Sequence, residues 1–229
     1  MTNAPEFEIS PYGEDGWIAQ FQAIGDDIAL ALYANAAGDM LRGLKGVTDC
    51  VAGIDSLTLR YSPAAIAPEN ARDKLLKAIE QTPFAETPPP AKRLDIPVAY
   101  GGEFGPDFDH LCKENNLSAA QLIEAHASCA YRILMLGFAP GFAYLGSPQA
   151  TLRAKRLDTP RQLVSAGSIG VASSFTGIYS LPSPGGWRII GRTPTRLFDP
   201  KARAPFIFEP GAQVRFIPIR ADQFEERAP

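Results

Sequence analysis

The sequence predicts a small α+β domain, in which a sheet is backed by two helices, followed by a mainly-β barrel domain. Residues 16–79 alternate β-prone segments with segments of helical periodicity. After Tyr131 the chain consists of short β-prone runs separated by Gly and Pro, which is typical of a closed or half-closed barrel. Three consecutive prolines separate the two patterns, and they can neither continue a helix nor lie inside a sheet. We therefore predict domains over 1–87 and 93–229, joined by a proline linker over 88–92.

The N-terminal elements are predicted to follow a ββαββα order. A strand is expected at 16–21, where β-branched and aromatic residues cluster. A helix is expected over 26–44, because apolar residues recur there at helical spacing after two aspartates. Two more strands follow at 47–51 and 57–61, and a second helix opens at Pro68, since proline suits the first turn of a helix.

The C-terminal part is predicted to open with a strand at 96–100, followed by two helices. One helix follows Pro106-Asp107, and the other follows Ser118, whose spacing to Gln121 is that of a capping box. The clearest barrel strands are then predicted at 133–136, 168–172, 188–190 and 214–217.

Composition narrows the function classes. Hydrophobic residues make up 45% and charged residues 21% of the 229 positions, and the net charge is −3, so no basic field favours nucleic acid or an anionic membrane. Three scattered cysteines and only two histidines argue against a disulfide framework and a zinc site. No signal peptide or membrane-length apolar run is recognisable. We expect a cytoplasmic protein without nucleic-acid, membrane or metal partners.

The first motif is the run GFAPGFAYLG over 137–146. Two glycines flanking Pro140 predict a tight turn. Phe138, Phe142 and Tyr144 alternate, which places their rings on one face where they can wall an apolar pocket. The alternative is a hydrophobic corner that only plugs the barrel.

The second motif is AGSIG at 166–170, leading to TGIY at 176–179. Backbone N–H groups in such a glycine turn, with the hydroxyls of Ser168 and Thr176, can hold an anionic oxygen. A structural turn of the barrel is the alternative interpretation. Neither a Walker A sequence nor a GxGxxG after a strand is present.

The third motif, SPGGW followed by IGRTP, completes an ordered set. The set comprises YGGEFGPD (100–107), GFAPGFAYLG (137–146), TPR (159–161), AGSIG (166–170), TGIY (176–179), SPGGW (183–187), IGRTP (190–194), LFDP (197–200) and PGAQVRF (210–216). In this order the chain resembles the family that comprises the B subunit of 5-oxoprolinase, the sporulation-kinase inhibitor KipI and allophanate hydrolase subunit 1. The resemblance is strong over about residues 96–218 and weak before them.

The resemblance implies a cyclophilin-like β-barrel for the second domain and, as partner, a homologous C subunit of the allophanate hydrolase subunit 2 type. In 5-oxoprolinase a third, LamB/YcsF-type subunit joins them, and the complex opens the lactam of 5-oxo-L-proline to glutamate with cleavage of ATP. The implied co-substrate is ATP with Mg²⁺, and no protein-bound metal is expected. Two other functions stay open: a KipI-like inhibitor of a sensor histidine kinase, and a component of an allophanate hydrolase or urea carboxylase type enzyme.

An amide is a poor electrophile. Its ATP-coupled opening therefore needs cations that offset phosphate charge, a proton-transfer group and cavity walls that exclude water. We predict His126 and Arg156 as catalytic, although His126 can equally be a helix-end histidine that bonds a carbonyl. The predicted substrate- or nucleotide-binding residues are Phe138, Pro140, Phe142, Tyr144, Arg161, Ser168, Thr176, Tyr179, Gly185, Gly186, Trp187 and Arg192.

One segment departs from the family pattern. Where the family usually has Gly-Gly-Gln before TGIY, this chain has Ser173-Ser174-Phe175. The hypothesis that follows is a ligand different from that of a standard B subunit, or a paralogue with altered activity.

Overall fold

The computed structural model describes residues 5–22, 27–85 and 92–227. The chain divides into two compact units, Met1–Pro90 and Ala91–Pro229. The predicted proline linker lies outside the described residues, except for Lys92.

The first unit contains four strands and two helices among its described residues. Their bounds are β1 (Phe7–Pro11), β2 (Gly16–Phe21), α1 (Asp27–Leu41), β3 (Val47–Ala52), β4 (Ser56–Tyr61) and α2 (Pro68–Gln81). The strands form an antiparallel sheet in the order β1-β2-β4-β3. Leu57 and Leu59 of β4 are fully buried, as are Leu75 and Ile79 of α2. Apolar residues at period 2 in the strand and at helical spacing in the helix therefore form one core.

The helix predicted over 26–44 ends at Leu41. Gly43 has a φ of +82°, a conformation that glycine adopts readily and that terminates helices. The apolar periodicity continues to Leu44, which is 37% exposed. The helix predicted from the apolar pattern is therefore three residues too long at its C-terminal end.

The second unit contains nine strands, three helices and a short 3₁₀ turn (Gly102–Phe104) among its described residues. The strands are β5 (Arg93–Tyr100), β6 (Tyr131–Leu136), β7 (Ala143–Gly146), β8 (Arg161–Val164), β9 (Ser168–Ala172), β10 (Phe175–Ile178), β11 (Ser183–Gly185), β12 (Arg188–Arg192) and β13 (Gln213–Ile219). The helices are α3 (Phe108–Glu114), α4 (Ala119–Ala127) and α5 (Ala221–Arg227).

Seven of these strands close a barrel in the order β10-β7-β6-β13-β5-β12-β9. The pairing is antiparallel except between β13 and β5, which run parallel. The remaining strands, β8 and β11, form a separate two-stranded ribbon. This ribbon carries Arg161 opposite Gly185, which matters for the site described below.

The predicted capping box of α4 is confirmed. Ser118 Oγ accepts a hydrogen bond from the Gln121 backbone N–H at 3.3 Å, and Gln121 Oε1 accepts one from the Ser118 N–H at 2.8 Å. Because both donors would otherwise lack partners at the helix end, this reciprocal pair fixes where α4 begins.

The predicted fold class is confirmed: a sheet with two helices is followed by a closed, mainly-β barrel. No helix in the described part of the chain is both long enough and apolar enough to span a bilayer.

Candidate functional site

An aromatic cavity of about 370 Å³ lies in the barrel unit. Its walls come from the GFAPGFAYLG segment, the segment 156–160 before β8, the end of the TGIY motif and the SPGGW motif. The lining residues are Phe138, Phe142, Tyr144, Arg156, Leu157, Pro160, Tyr179, Pro184, Gly185, Gly186 and Trp187. Segments that are up to about fifty residues apart in sequence therefore converge on one concavity.

Phe142 is the centre of the aromatic wall. Its ring makes edge contacts with Tyr144 at a centroid distance of 4.8 Å, with Tyr179 at 5.0 Å and with Trp187 at 5.9 Å. Phe142 and Tyr179 are each only 2% exposed. Edge-to-face packing of this kind holds each ring in one orientation, so the wall is rigid before any ligand arrives.

Two glycines allow the rings to pack this closely. A Cβ on Gly177 would lie 2.8 Å from both Phe142 Cζ and Trp187 Cζ3, and a Cβ on Gly185 would collide with the Tyr179 hydroxyl. The glycines of TGIY and SPGGW therefore serve the cavity, because any larger side chain would displace a ring of its wall.

Phe138 stands at the edge of the cavity in a strained conformation. Its φ is +70° and it is 62% exposed, yet its ring contacts Phe142 at 5.4 Å. A bulky residue in the left-handed region is unfavourable, and the exposed Phe138 ring gains little from core packing to offset this. The exposed Phe138 ring is therefore accessible at the edge of the cavity.

Arg156 is the cation of the cavity. Its guanidinium carbon lies 5.9 Å from the centroid of the Trp187 ring, and no acidic side chain among the described residues forms an ion pair with it. Burial raises the pKa of Tyr144 and of Tyr179, and the nearby Arg156 charge partly offsets the rise in both. The cavity thus combines apolar walls with a positive charge that is available to an anion.

Arg161 lies beside the cavity rather than on its wall. Its Nη2 donates to Asp107 Oδ1 at 2.9 Å, and Asp107 Oδ2 also accepts the Ile189 N–H at 2.7 Å. Arg188 Nη1 approaches the same carboxylate at 3.7 Å. The sequence analysis did not identify Asp107 as a site residue, although it ends the YGGEFGPD motif. An aspartate just before a helix is typical of an ordinary N-cap residue, so its position did not indicate a role in the site.

His126 is a core residue of the barrel unit. It is 1% exposed, its ring stacks on Phe216 at 4.5 Å, and its two nitrogens bond Tyr100 Oη at 2.7 Å and Thr176 Oγ1 at 3.2 Å. Burial lowers the pKa of His126 to about 3, so the ring is neutral near pH 7. Since it does not line the cavity, we do not include it in the site that we propose.

The other predicted residues outside the cavity have local partners. Ser168 is 4% exposed inside β9. Arg192 Nε donates to the Ala166 carbonyl at 2.8 Å, and its guanidinium lies 5.7 Å from the Phe224 ring. Pro140 lines a neighbouring groove of about 390 Å³ together with Phe138 and Phe206. The structure therefore separates these residues, and Thr176, from the predicted residues on the cavity wall.

Among the residues that the structure describes, no group of three or more His, Cys, Asp or Glu side chains is placed to hold a metal ion.

Comparison with known proteins identifies the family. Residues 7–208 match the family model described as the carboxyltransferase domain, subdomain C and D. The chain belongs to this family. It is 33% identical over 228 residues to the B subunit of 5-oxoprolinase from Bacillus subtilis (strain 168), and the match covers 93% of each chain.

Solved structures support the fold of this carboxyltransferase-family chain. It is similar to TTHA0988 with a TM-score of 0.76 and 31% identity over 90% of this chain; it spans 40% of the length of TTHA0988. It also aligns with Kluyveromyces lactis urea amidolyase with a TM-score of 0.82 over 97% of this chain and 15% of that one. At 17% identity the latter likeness concerns the fold alone.

The segment in which this chain departs from the family pattern forms the turn between β9 and β10, with Ser173 and Ser174 between the strands and Phe175 as the first residue of β10. Ser173 has a φ of +52°, and its N–H donates to the Ala154 carbonyl at 2.8 Å. Phe175 is half-buried and packs against the cluster that contains Phe142 and Trp187. Phe175 is not among the lining residues, so its influence on a ligand would pass through the rings in front of it.

Proposed function

We propose that this chain is one component of an ATP-dependent amide hydrolase that opens 5-oxoproline to glutamate together with a homologous C subunit. The observation that carries the proposal is the convergence of the GFAPGFAYLG and SPGGW motifs with Arg156 on a single aromatic cavity. The similarity to a chain named as the B subunit of 5-oxoprolinase, over nearly its full length, supports the choice of substrate.

The lactam is proposed to lie in the aromatic cavity. About 370 Å³ suits a small ring compound better than a whole nucleotide. Phe142, Tyr179 and Trp187 exclude water from the amide, and Arg156 stabilises the negative charge of the phosphoryl group that is transferred to the carbonyl oxygen. ATP, with Mg²⁺, would transfer its γ-phosphoryl group to this oxygen and leave as ADP. Water would then add to the activated carbon, the C–N bond would break as the ring nitrogen takes up a proton, and phosphate would leave.

The nucleotide is proposed to bind on surface shared with the partner. The C subunit, and a LamB/YcsF-type subunit in a 5-oxoprolinase complex, would complete the site. Exposed Phe138 and Phe206, at 62% and 43%, lie on the groove next to the cavity and give a partner an apolar contact. The three cysteines are free thiols, which fits a reducing cytoplasm.

Reconstitution tests the proposed function. The chain is co-purified with the subunits encoded beside its gene, and phosphate release is measured with 5-oxoproline, allophanate and urea. We expect turnover with 5-oxoproline, and Arg156→Gln should lower kcat by about 100-fold, the scale of losing one transition-state donor.

Arg196→Gln is the matched control, because Arg196 is a 60% exposed arginine that pairs with Asp199 and is not among the residues that line the cavity. Turnover with allophanate or urea but not with 5-oxoproline would move the assignment to the urea carboxylase type. No turnover with any of the three would contradict the proposal.

The exposed groove around Phe138 and Phe206 also favours a second candidate, a KipI-like inhibitor that docks on a sensor histidine kinase. Retention of a kinase dimerisation domain at micromolar affinity, and its loss in Phe138→Ala, would support this candidate over the enzyme.

A further inference from the structure

An ion cluster borders the aromatic cavity, and the reaction proposed above does not use it. It consists of Asp107, Arg161 and Arg188. Asp107 is 5% exposed, and its Oδ1 lies 2.9 Å from Arg161 Nη2 and 3.7 Å from Arg188 Nη1. One carboxylate therefore faces two cations, while Arg156 on the cavity wall has no acidic partner in the described part of the chain. The local charge balance favours an anionic ligand.

One hydrogen-bond donor of Arg161 lacks an acceptor among the described residues. Its Nη2 is bonded to Asp107, whereas its Nη1 is buried and has no hydrogen-bond partner among the described residues. A buried guanidinium nitrogen without an acceptor is unfavourable, so such a group indicates a ligand that completes its bonding. An oxygen of a ligand carboxylate can accept the hydrogen bond that Nη1 lacks.

The backbone neighbours of Arg161 line the cavity, although Arg161 itself lies beside it. Its neighbour Pro160 lines the cavity, and its cross-strand partner Gly185 lines it too. The Arg161 charge also acts on Tyr179, where it opposes the rise in pKa that burial causes. The guanidinium is therefore within electrostatic reach of the cavity wall.

The Asp107 side chain binds Arg161 and does not cap its own helix, α3. It occupies the N-cap position of α3, where an aspartate side chain normally accepts an N–H bond, but it makes no such bond. Its two oxygens instead receive Arg161 and the Ile189 backbone. This arrangement fixes the guanidinium against the β12 strand.

We infer that Arg161 binds the carboxylate of a small lactam held in the aromatic cavity, and that Asp107 is the positioning residue that orients Arg161. The inference rests on the proposed function in that a lactam is taken to occupy the cavity. It adds that the cavity selects anionic ligands, so a neutral amide of the same ring size binds weakly.

The test compares two ligands that differ only in the carboxylate, 5-oxo-L-proline and pyrrolidin-2-one, on the full chain without ATP or partners. The Trp187 indole N–H is followed by NMR, and the Trp17 signal, from the other unit, is the internal control. We expect 5-oxo-L-proline to bind at least about tenfold more tightly, a difference of about 1.4 kcal/mol.

Variants separate the two roles. Arg161→Gln should abolish the preference while leaving pyrrolidin-2-one binding unchanged, and Arg161→Lys should keep part of it because the charge remains. Asp107→Asn should reduce the preference several-fold without changing the affinity for pyrrolidin-2-one. Arg196→Gln should behave as the wild type.

Equal affinities for the two ligands in the wild type would overturn the inference, and this comparison needs no variant to fold. No Trp187 shift with either ligand at millimolar concentration, or an unchanged preference in Arg161→Gln, would also overturn it. A carboxylate preference without lactam-dependent ATP turnover would refute the proposed hydrolase alone. Turnover with equal affinities would refute this inference alone.

Discussion

At the scale of single residues, burial decides which polar groups are available for chemistry. His126 and Arg156 are both predicted catalytic residues, but the structure gives them opposite surroundings. His126 has two hydrogen-bond partners and is 1% exposed, whereas Arg156 lies on the wall of the cavity. Neither the burial of His126 nor the position of Arg156 on the cavity wall can be predicted from the sequence, because both depend on which strands face one another.

The pH dependence of folding should report the burial of His126. Its pKa is about 3 in the folded chain and ordinarily about 6.5, so below pH 6.5 the unfolded state takes up a proton that the folded state does not. The contribution of His126 to stability is therefore fully present above pH 6.5 and falls by roughly 1 kcal/mol per pH unit between pH 6.5 and 3. Urea denaturation at a series of pH values measures this slope.

His126→Gln should flatten that slope, because the titrating group is gone. His110→Gln is the matched control, since His110 is 56% exposed near Glu114. If wild type and His126→Gln lose stability equally on acidification, the buried neutral histidine is not the cause.

The strained backbone at Phe138 gives a second residue-scale prediction. Phe138→Gly and Phe138→Ala remove the same ring but differ in whether a Cβ must occupy a φ of +70°. We expect the glycine variant to be more stable than the alanine variant by about 1 kcal/mol in urea denaturation. An alanine variant of equal or greater stability would show that the left-handed conformation is not maintained in solution.

At the scale of elements, β10 separates two environments. Thr176 bonds His126 inside the barrel, and the next residue, Gly177, faces Phe142 and Trp187. Successive residues of a strand point to opposite faces. One face of β10 therefore packs in the barrel core, and the other packs behind the Phe142 and Trp187 rings of the cavity wall.

Gly177→Ala should test this junction. Its Cβ would need to displace the Phe142 and Trp187 rings, so we expect a loss of about 1–3 kcal/mol in unfolding free energy and a changed near-ultraviolet circular dichroism spectrum. Gly137→Ala is the control, because a Cβ there meets no atom within 4 Å. Equal stability of the two variants would contradict the packing described for Gly177.

The elements also show how far sequence reasoning reaches. The α4 capping box and the strands predicted at 168–172 and 188–190 are confirmed because their signals are local, and the second strand runs on to Arg192. The short strands β8 and β11 were not, since three or four residues carry too little periodicity. The Asp107–Arg161 pair was equally hidden, because it joins residues 54 positions apart.

At the scale of the whole molecule, each unit has its own hydrophobic core. One cluster joins α1 and α2 to the four-stranded sheet, and another fills the barrel. The domain division over 1–87 and 93–229 stays a prediction, and it implies that each part can fold alone.

Expression of residues 92–229 alone should test this division. The fragment should unfold cooperatively, and its Trp187 signal should match that of the full chain, because the aromatic residues that pack around Trp187 belong to the second unit. A fragment that lacks dispersed NMR signals would show that the barrel depends on the first unit.

The position of β13 has a consequence for synthesis on the ribosome. This strand lies between β6 and β5, although it is the last strand of the barrel in sequence. While the nascent chain lacks residues 213–219, β5 and β6 each present an unpaired edge. Such edges recruit other strands, so we expect the nascent barrel to be prone to aggregation until β13 emerges.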